Sequence, residues 1–469
     1  MPSAEYQTPT FKTPWIETPL IESAALSRAA GCRIFLKLEN VQPSGSFKSR
    51  AMGNQILSHL RKPEYANRRI HFYASSGGNA GLAAVCAART LGYPCTVVVP
   101  LSTKPLMLEK LQAAGAADVI RHGETFFEAG SYMKEVIMKT GSGDDEDVAK
   151  IALHPFDNEP IWEGNGTIID ELEKQLPPAA NSEEEQVYGG RALPLDAILC
   201  SVGGGGLLNG LVMGIEKRRS MKQRDNGFSS TSHSYLDTSL ETITTTSSVP
   251  VSLTPSPINL LAIETDGTDS LAAAIAHKSL VSLPKITSQA TSLGAIRVSE
   301  TTFQYAVSPP PGIKVHSAVL TDAEAARGVL RLADDERLLV ELACGVCVEA
   351  AIGDAATATA AAESAIPVVE DQSSKKRKRD LDDTASRDEG YGDDRASSTD
   401  NEADLESRPE TSAAGQAIPA KTPELTSKLK QLLPDLNSQS RVVIIVCGGS
   451  NVTIDMAGEY RKMLSEGWV

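Results

Sequence analysis

The sequence has few cysteines, no long apolar run and a deficit of positive charge. Seven cysteines in 469 residues, an odd count without regular spacing, exclude a disulfide framework as the organising device and fit a reducing, cytoplasmic setting. The balance of 45 basic against 60 acidic residues gives a net charge of −15. Such a surface repels nucleic acid and anionic membrane, so neither is expected as a main partner. No apolar stretch reaches the roughly 18 residues that a membrane-spanning helix requires. The opening residues, MPSAEYQTPTFKTPW, lack a basic region followed by an apolar core and do not read as a secretory signal. What is present is ordinary globular material, 41% hydrophobic and 22% charged. The length suits two or three domains, or one large two-lobed enzyme.

Several short apolar runs end in Gly- or Ser-rich turns and continue as helical patterns. RRIHFYA (Arg68–Ala74) leads into SSGGNAG, and CTVVVP (Cys95–Pro100) into LSTKPLMLEKLQAAG. LDAILCSV (Leu195–Val202) leads into GGGG, INLLAIE (Ile258–Glu264) into TDGTDSLAAAIAH, and RVVIIVC (Arg441–Cys447) into GGSN. Continuous Val/Ile/Leu runs without period-two alternation suit strands buried on both faces. Strands alternating with helices predict an α/β fold with parallel sheets. The loops at the carboxyl ends of such strands are where open α/β sheets bind ligands. Two stretches break the pattern. Residues 220–257 and 366–428 lack apolar periodicity and are read as disordered insertions. The second carries KKRKR (Lys375–Arg379), either a nuclear-localisation patch or a solvated charge run flanked by acids.

SVGGGGLLNG (Ser201–Gly210) places four glycines between a strand and a helix. Successive backbone N–H groups can converge there without Cβ clashes and hold a phosphate at a helix N-terminus. The bland alternative is a tight strand–helix turn. A dinucleotide fingerprint fails, because the sixth position is Leu208 when Gly203 is counted as the first and Asn209 when Gly204 is; a Walker loop fails, because Phe47 stands where glycine should precede the lysine. A small phosphorylated cofactor held by one loop remains. In VQPSGSFKSR (Val41–Arg50), Lys48 follows Phe47 in a Ser/Gly turn. A lysine partly buried behind an aromatic ring has a lowered pKa and can attack an aldehyde. Lysine plus an isolated phosphate nest is what pyridoxal 5′-phosphate demands. SSGGNAG (Ser75–Gly81) lies where N–H groups and hydroxyls bind a carboxylate; Asn79 can donate to a phenolate oxygen, or Ser76 and Asn79 serve as ordinary helix caps. Cys447 in CGGSN can meet the pyridine nitrogen or pack as a small hydrophobe. CGVC (Cys344–Cys347) resembles a redox pair but reads as one face of the alanine-rich helix ELACGVCVEAAIGDAA.

The chain resembles the serine/threonine dehydratases of the tryptophan-synthase-β (fold type II) superfamily. The matching stretches are KLENVQPSGSFKSR, SSGGNAGLAA, HPFDNEPIWEGN, SVGGGGLLNG, AIETDGTDS, LPKITSQATSLGA, ELACG and VCGGSN, in the family's order from about residue 14 to 460. The resemblance implies a two-lobed fold with a parallel-type sheet in each lobe and the active site in the cleft. Residues 1–40 and 148–469 would form the large phosphate-binding lobe and 41–147 the small one. Lys48 would bond to the cofactor's aldehyde and later act as base at the substrate Cα. Phe47 would pack on the ring, with Ser292 toward its other face. Gly203, Gly204, Gly205, Gly206 and Leu207 would grip the phosphate, Asn79 the ring oxygen, and Cys447 would face the pyridine nitrogen. Ser76, Gly77 and Asn79 would hold the substrate carboxylate. A monovalent cation, usually potassium, would sit at Glu264, Thr268, Ser270, Leu293 and Ala295. The implied reaction deaminates L-serine to pyruvate and ammonia, and L-threonine to 2-oxobutanoate, in a homodimer. A threonine-preferring dehydratase, a racemase of the same fold and a non-catalytic paralogue are the competing readings. Two departures stand out: Gly77 where some relatives carry alanine, and Leu342 where proline is common.

Overall fold

A computed structural model describes residues 10–140, 147–188, 191–228, 256–353 and 427–469. Strands β1 (Leu20–Glu22), β2 (Arg33–Lys37), β3 (Arg69–Ala74), β4 (Cys95–Val99), β5 (Asp118–Arg121), β6 (Val148–Ala152), β7 (Ala197–Ser201), β8 (Ile258–Thr265), β9 (Ile313–Leu320) and β10 (Arg441–Ile445) form two sheets. The larger runs β1-β2-β10-β7-β8-β9 and the smaller β5-β4-β3-β6. All pairings are parallel except β1 with β2. The central strands β4, β7 and β10 are buried at every position. This is why their sequences read as unbroken apolar runs rather than alternating ones.

Helices cover both sheets. In chain order they are α1 (Ala24–Ala30), α2 (Lys48–Leu60), α3 (Asn79–Thr90), α4 (Pro105–Ala113), α5 (Phe126–Tyr132), α6 (Glu159–Gln175), α7 (Ser182–Tyr188), α8 (Gly206–Phe228), α9 (Ser270–His277), α10 (Glu300–Val307), α11 (Asp322–Glu336), α12 (Leu342–Ile352), α13 (Lys428–Leu432) and α14 (Ile454–Ser465). The large core joins β2, β7, β8 and β10 to one face of α6, α8 and α11 and to α12, which is buried all round from Leu342 to Ala351. A second core gathers Met52, Ile56 and Leu60 of α2 with Ala83, Ala84 and Ala87 of α3 over Phe72, Val97 and Val99 of the small sheet.

A buried charge cluster fixes where α2 begins. Arg50 is fully buried, and its guanidinium donates to Glu39 at 2.8 Å through both Nε and an Nη. It donates again to Glu171 of α6 at 2.5 and 2.8 Å. Lys37, at the end of β2, adds a third donor to Glu171 at 2.5 Å. Two carboxylates held by two cations leave no uncompensated charge in the interior.

Three sequence expectations need correction. β6 pairs with β3 in the small sheet, so that sheet draws on the chain to Ala152, beyond the boundary placed at 147. Residues 220–228 continue helix α8 instead of opening an insertion. Their polar sequence has no apolar face, but extending an existing helix requires no new nucleus. Ser427 and Lys428 belong to the fold: Ser427 caps α13 by accepting from the N–H of Lys430, and Lys428 pairs with Glu324. The remainder of both insertions, including Lys375–Arg379, lies outside the described residues. Among the described residues, no helix is long and apolar enough to cross a membrane.

Candidate active site

Lys48 is the first residue of α2 and is half-buried. Its Nζ donates to the Pro155 carbonyl at 2.9 Å and lies 5.1 Å from the centre of the Phe47 ring. Burial pulls its pKa down to about 8, against a small upward pull from Cys447. A neutral, nucleophilic fraction is therefore accessible near physiological pH. The segment that carries it is stitched to the loop after β10: Phe47 N–H donates to the Cys447 carbonyl at 3.2 Å, and Ser46 bridges Gly448.

The four glycines join the end of β7 to the start of α8, and their neighbours leave no room for side chains. A Cβ on Gly204 would stand 2.2 Å from the Phe156 ring. Gly205 has φ +90°, and a Cβ there would reach within 1.9 Å of Thr302 Oγ1. The loop thus requires glycine for both space and conformation. Behind it, Thr302 donates to Asn209 at 2.8 Å, and Ser299 N–H donates to the Gly204 carbonyl at 3.2 Å. Leu207 follows in the first turn of α8 and is buried. Pro155, which accepts from Lys48, directly precedes Phe156, which packs on Gly204. The amine and the glycine loop therefore meet across two consecutive residues.

Cys447 is buried at the end of β10, with its Sγ 3.5 Å from Ser201 Oγ at the end of β7. A hydrogen bond from Cys344 pulls its pKa below the usual thiol value, against the opposing push of burial; Cys344 is raised in return. Cys344 and Cys347 both lie on α12 and are buried, and all seven cysteines are free thiols.

At SSGGN, neither Ser76 nor Asn79 caps α3. The N-cap is Gly78, with no side-chain hydrogen bond. The Asn79 side chain is turned instead to Ser292, Glu341 and Ser450. Ser76 Oγ accepts from Gly78 N–H at 3.3 Å. Gly77 has its space filled by Thr103, whose methyl carbon would be 2.8 Å from a Cβ at that position. Asn79 crosses from the small sheet's side to the large: its Oδ1 accepts from Ser450 N–H at 2.9 Å, and its Nδ2 donates to Ser292 at 3.3 Å and to Glu341 at 3.1 Å. Sequence reasoning missed Glu341, Phe156 and Asn209. Each lay inside or beside a quoted motif, but only their long-range partners show what they do.

Glu264 is fully buried and accepts from the N–H groups of Leu271 and Ala272 at 2.8 Å each. Burial pushes its pKa up to about 8, although both N–H groups act against this. Thr268 and Ser270 are buried beside it, and the Ser270 hydroxyl has no protein partner. The backbone of Leu293 lies against Gly203, so this polar shelf adjoins the glycine loop; Ala295 N–H donates to the Leu293 carbonyl at 2.7 Å.

A desolvated lysine, a side-chain-free loop at the start of a long helix and a thiol beside the lysine together fit pyridoxal phosphate. A family profile described as pyridoxal-phosphate dependent enzyme matches residues 12–369, and the chain belongs to that family. The architecture is that of its fold type II, α/β with a parallel sheet in each lobe. The chain is 36% identical over 313 residues to an L-serine dehydratase of Saccharomyces cerevisiae, spanning 66% of this chain and 78% of that protein. It is 35% identical over 325 residues to L-serine dehydratase/L-threonine deaminase of Mus musculus, spanning 69% and 79%. Among solved structures, a fungal L-serine ammonia-lyase from Rhizomucor miehei superposes with a TM-score of 0.61 over 96% of this chain and 99% of that one, at 23% identity. Maize serine racemase shares the fold at a TM-score of 0.57.

Proposed function

We propose that the protein is a lyase that deaminates L-serine to pyruvate and ammonia and also converts L-threonine to 2-oxobutanoate. The observation that carries this is Lys48: a desolvated amine, joined through Pro155 and Phe156 to a glycine loop and set beside a buried thiol. The dehydratase relatives named above supply the substrate class.

Pyridoxal phosphate, when bound, supplies the attachment point for Lys48 and an electron sink for the substrate's Cα. The residues do the rest. Gly203–Gly206 and Leu207 hold the phosphate through backbone N–H groups at the start of α8. Phe47 and Ser292 would flank the ring, and Asn79 would donate to its oxygen. Ser76, Gly77 and Asn79 hold the substrate carboxylate at the uncapped start of α3. Lys48, with its pKa lowered by burial, would be the group that takes a proton from the substrate's Cα. Cys447 opposite the pyridine nitrogen is a weaker proton holder than a carboxylate would be. Such a partner would favour loss of the β-hydroxyl over racemisation.

The shelf of Glu264, Thr268, Ser270, Leu293 and Ala295 is read as the site of a monovalent cation, potassium. Among the described residues, Glu264 forms no ion pair and the Ser270 hydroxyl has no hydrogen-bond partner, which supports this reading; hard oxygen donors suit such an ion. A homodimer, on the strength of the family resemblance, and a cytoplasmic setting, on the cysteine usage, complete the proposal. The test is keto-acid release from a panel of amino acids, with and without potassium. Pyruvate from serine and 2-oxobutanoate from threonine are expected. Inversion of serine without keto acid would refute the lyase reading.

A further inference from the structure

We propose that Glu341 is a positioning residue for the cofactor: its carboxylate fixes the Asn79 amide so that one N–H is presented to the ring oxygen. This rests on the placement of Asn79 against that oxygen given above.

Glu341 precedes α12 and is 6% exposed. A residue in this place commonly caps its own helix, but its side chain makes no cap bond to α12. Its two oxygens are spent on three other segments. Oε1 accepts from Asn79 Nδ2 at 3.1 Å and from Asn451 N–H at 2.6 Å. Oε2 accepts from Ser292 Oγ. The chain also clears space for it: Gly449 has φ +122°, and a Cβ there would lie 2.3 Å from the Glu341 carboxyl carbon. One buried carboxylate thus ties together the first residue of α3, the loop bearing Ser292 and the loop after β10.

The donor count of Asn79 gives this arrangement its use. An amide has two N–H hydrogens and one carbonyl. The carbonyl is held by Ser450 N–H, and the hydrogens go to Glu341 and Ser292. The contact to Ser292 is the longer, at 3.3 Å, and goes to a neutral hydroxyl. The contact to Glu341 goes to a carboxylate, and hydrogen bonds to charged acceptors are the stronger class. When the ring oxygen arrives, the Ser292 contact is the one exchanged. Ser292 keeps its own bond to Glu341, and Asn79 stays clamped at Oδ1 and at one hydrogen. The rotamer that meets the cofactor is therefore set before it binds, which lowers the cost of binding.

The test titrates apo-proteins with pyridoxal phosphate. The dissociation constant is read from fluorescence of Trp162, whose ring N–H donates to the Phe156 carbonyl beside the glycine loop. The absorption band of the bound cofactor and the kcat and KM for serine are recorded alongside. Glu341→Ala and Glu341→Asp are expected to weaken cofactor binding about tenfold or more, since each loses or withdraws three acceptor bonds. Both should move the absorption band in the direction that Asn79→Ala moves it. Glu341→Gln keeps an oxygen for Asn79 and Asn451, and should stay within about threefold of wild type. Wild-type affinity and band in Glu341→Ala would overturn the proposal. So would Glu341→Gln as weak as Glu341→Ala beside an unaffected Glu341→Asp, because charge and not geometry would then matter. If Glu341→Ala fails to fold, the Gln and Asp variants still decide. Wild-type binding and band in Asn79→Ala would instead overturn the placement of Asn79, whatever Glu341 does.

Discussion

Lys48 carries a cost that can be measured without cofactor or substrate. In the folded apo-protein its pKa falls from the ordinary 10.5 to about 8, chiefly by burial. The difference is worth at most about 3 kcal/mol at neutral pH, because each unit is about 1.4 kcal/mol. Lys48→Met removes that charge and also the bond to Pro155, itself about 1 kcal/mol. The apo-variant should therefore be more stable than wild type by about 2 kcal/mol at pH 7. The pH dependence has a definite sign. Between pH 8 and 10.5 the unfolded chain holds a proton that the folded one has released, so wild-type stability rises with pH in that window. The advantage of Lys48→Met shrinks there and vanishes before 10.5. Urea denaturation of both apo-proteins, from pH 6.5 to 10.5, reads this directly. A variant no more stable than wild type at pH 7, with parallel curves above pH 8, would refute the claim that Lys48 is held desolvated. The trade of stability for reactivity is common at active sites.

Arg50→Met leaves Glu39 and Glu171 facing each other with one buried cation fewer. A loss of about 3–5 kcal/mol is expected, or failure to fold, by thermal melting. An unchanged melting temperature would mean that the cluster does not anchor α2. Potassium should raise the apo-protein's melting temperature, and Glu264→Gln should abolish the rise; an equal rise in the variant would remove Glu264 from the cation site. The ends of the second insertion meet, since Lys428 N–H donates to the Gly353 carbonyl at 2.9 Å. Replacing residues 357–424 with a short Gly/Ser linker should keep full activity and add on the order of 1–2 kcal/mol of stability from the shorter loop. Loss of pyruvate formation in that variant would show that the insertion takes part in the fold or the chemistry.

The strands that carry the site could be read from sequence because they are buried on both faces. CTVVV, AILCS and RVVII are buried at every position, and RIHFYA and INLLAIET at most of theirs, so they leave mainly apolar runs; the glycine loop and the Cys447 loop follow two of them. Strands with an open face were harder to see. β9 (IKVHSAVL) is an edge strand with mostly half-buried and exposed positions, and β5 (DVIR) is short and buried at none. β6 was assigned to the wrong lobe because parallel pairing partners far apart in sequence leave no local mark. The same holds for the polar contacts behind the site. Arg50 and Glu171 are separated by 121 positions, and Asn79 and Glu341 by 262. The residue types were visible in the motifs; their pairing required the fold.

The central claim is that Lys48 is the residue to which pyridoxal phosphate attaches. Borohydride reduction of the holoenzyme fixes the cofactor to its lysine as a stable secondary amine, and peptide mapping locates it. The label is expected on the peptide that contains Ser46, Phe47 and Lys48, with no fixed label in Lys48→Met. A label on any other lysine, or none on Lys48 in active enzyme, would contradict it.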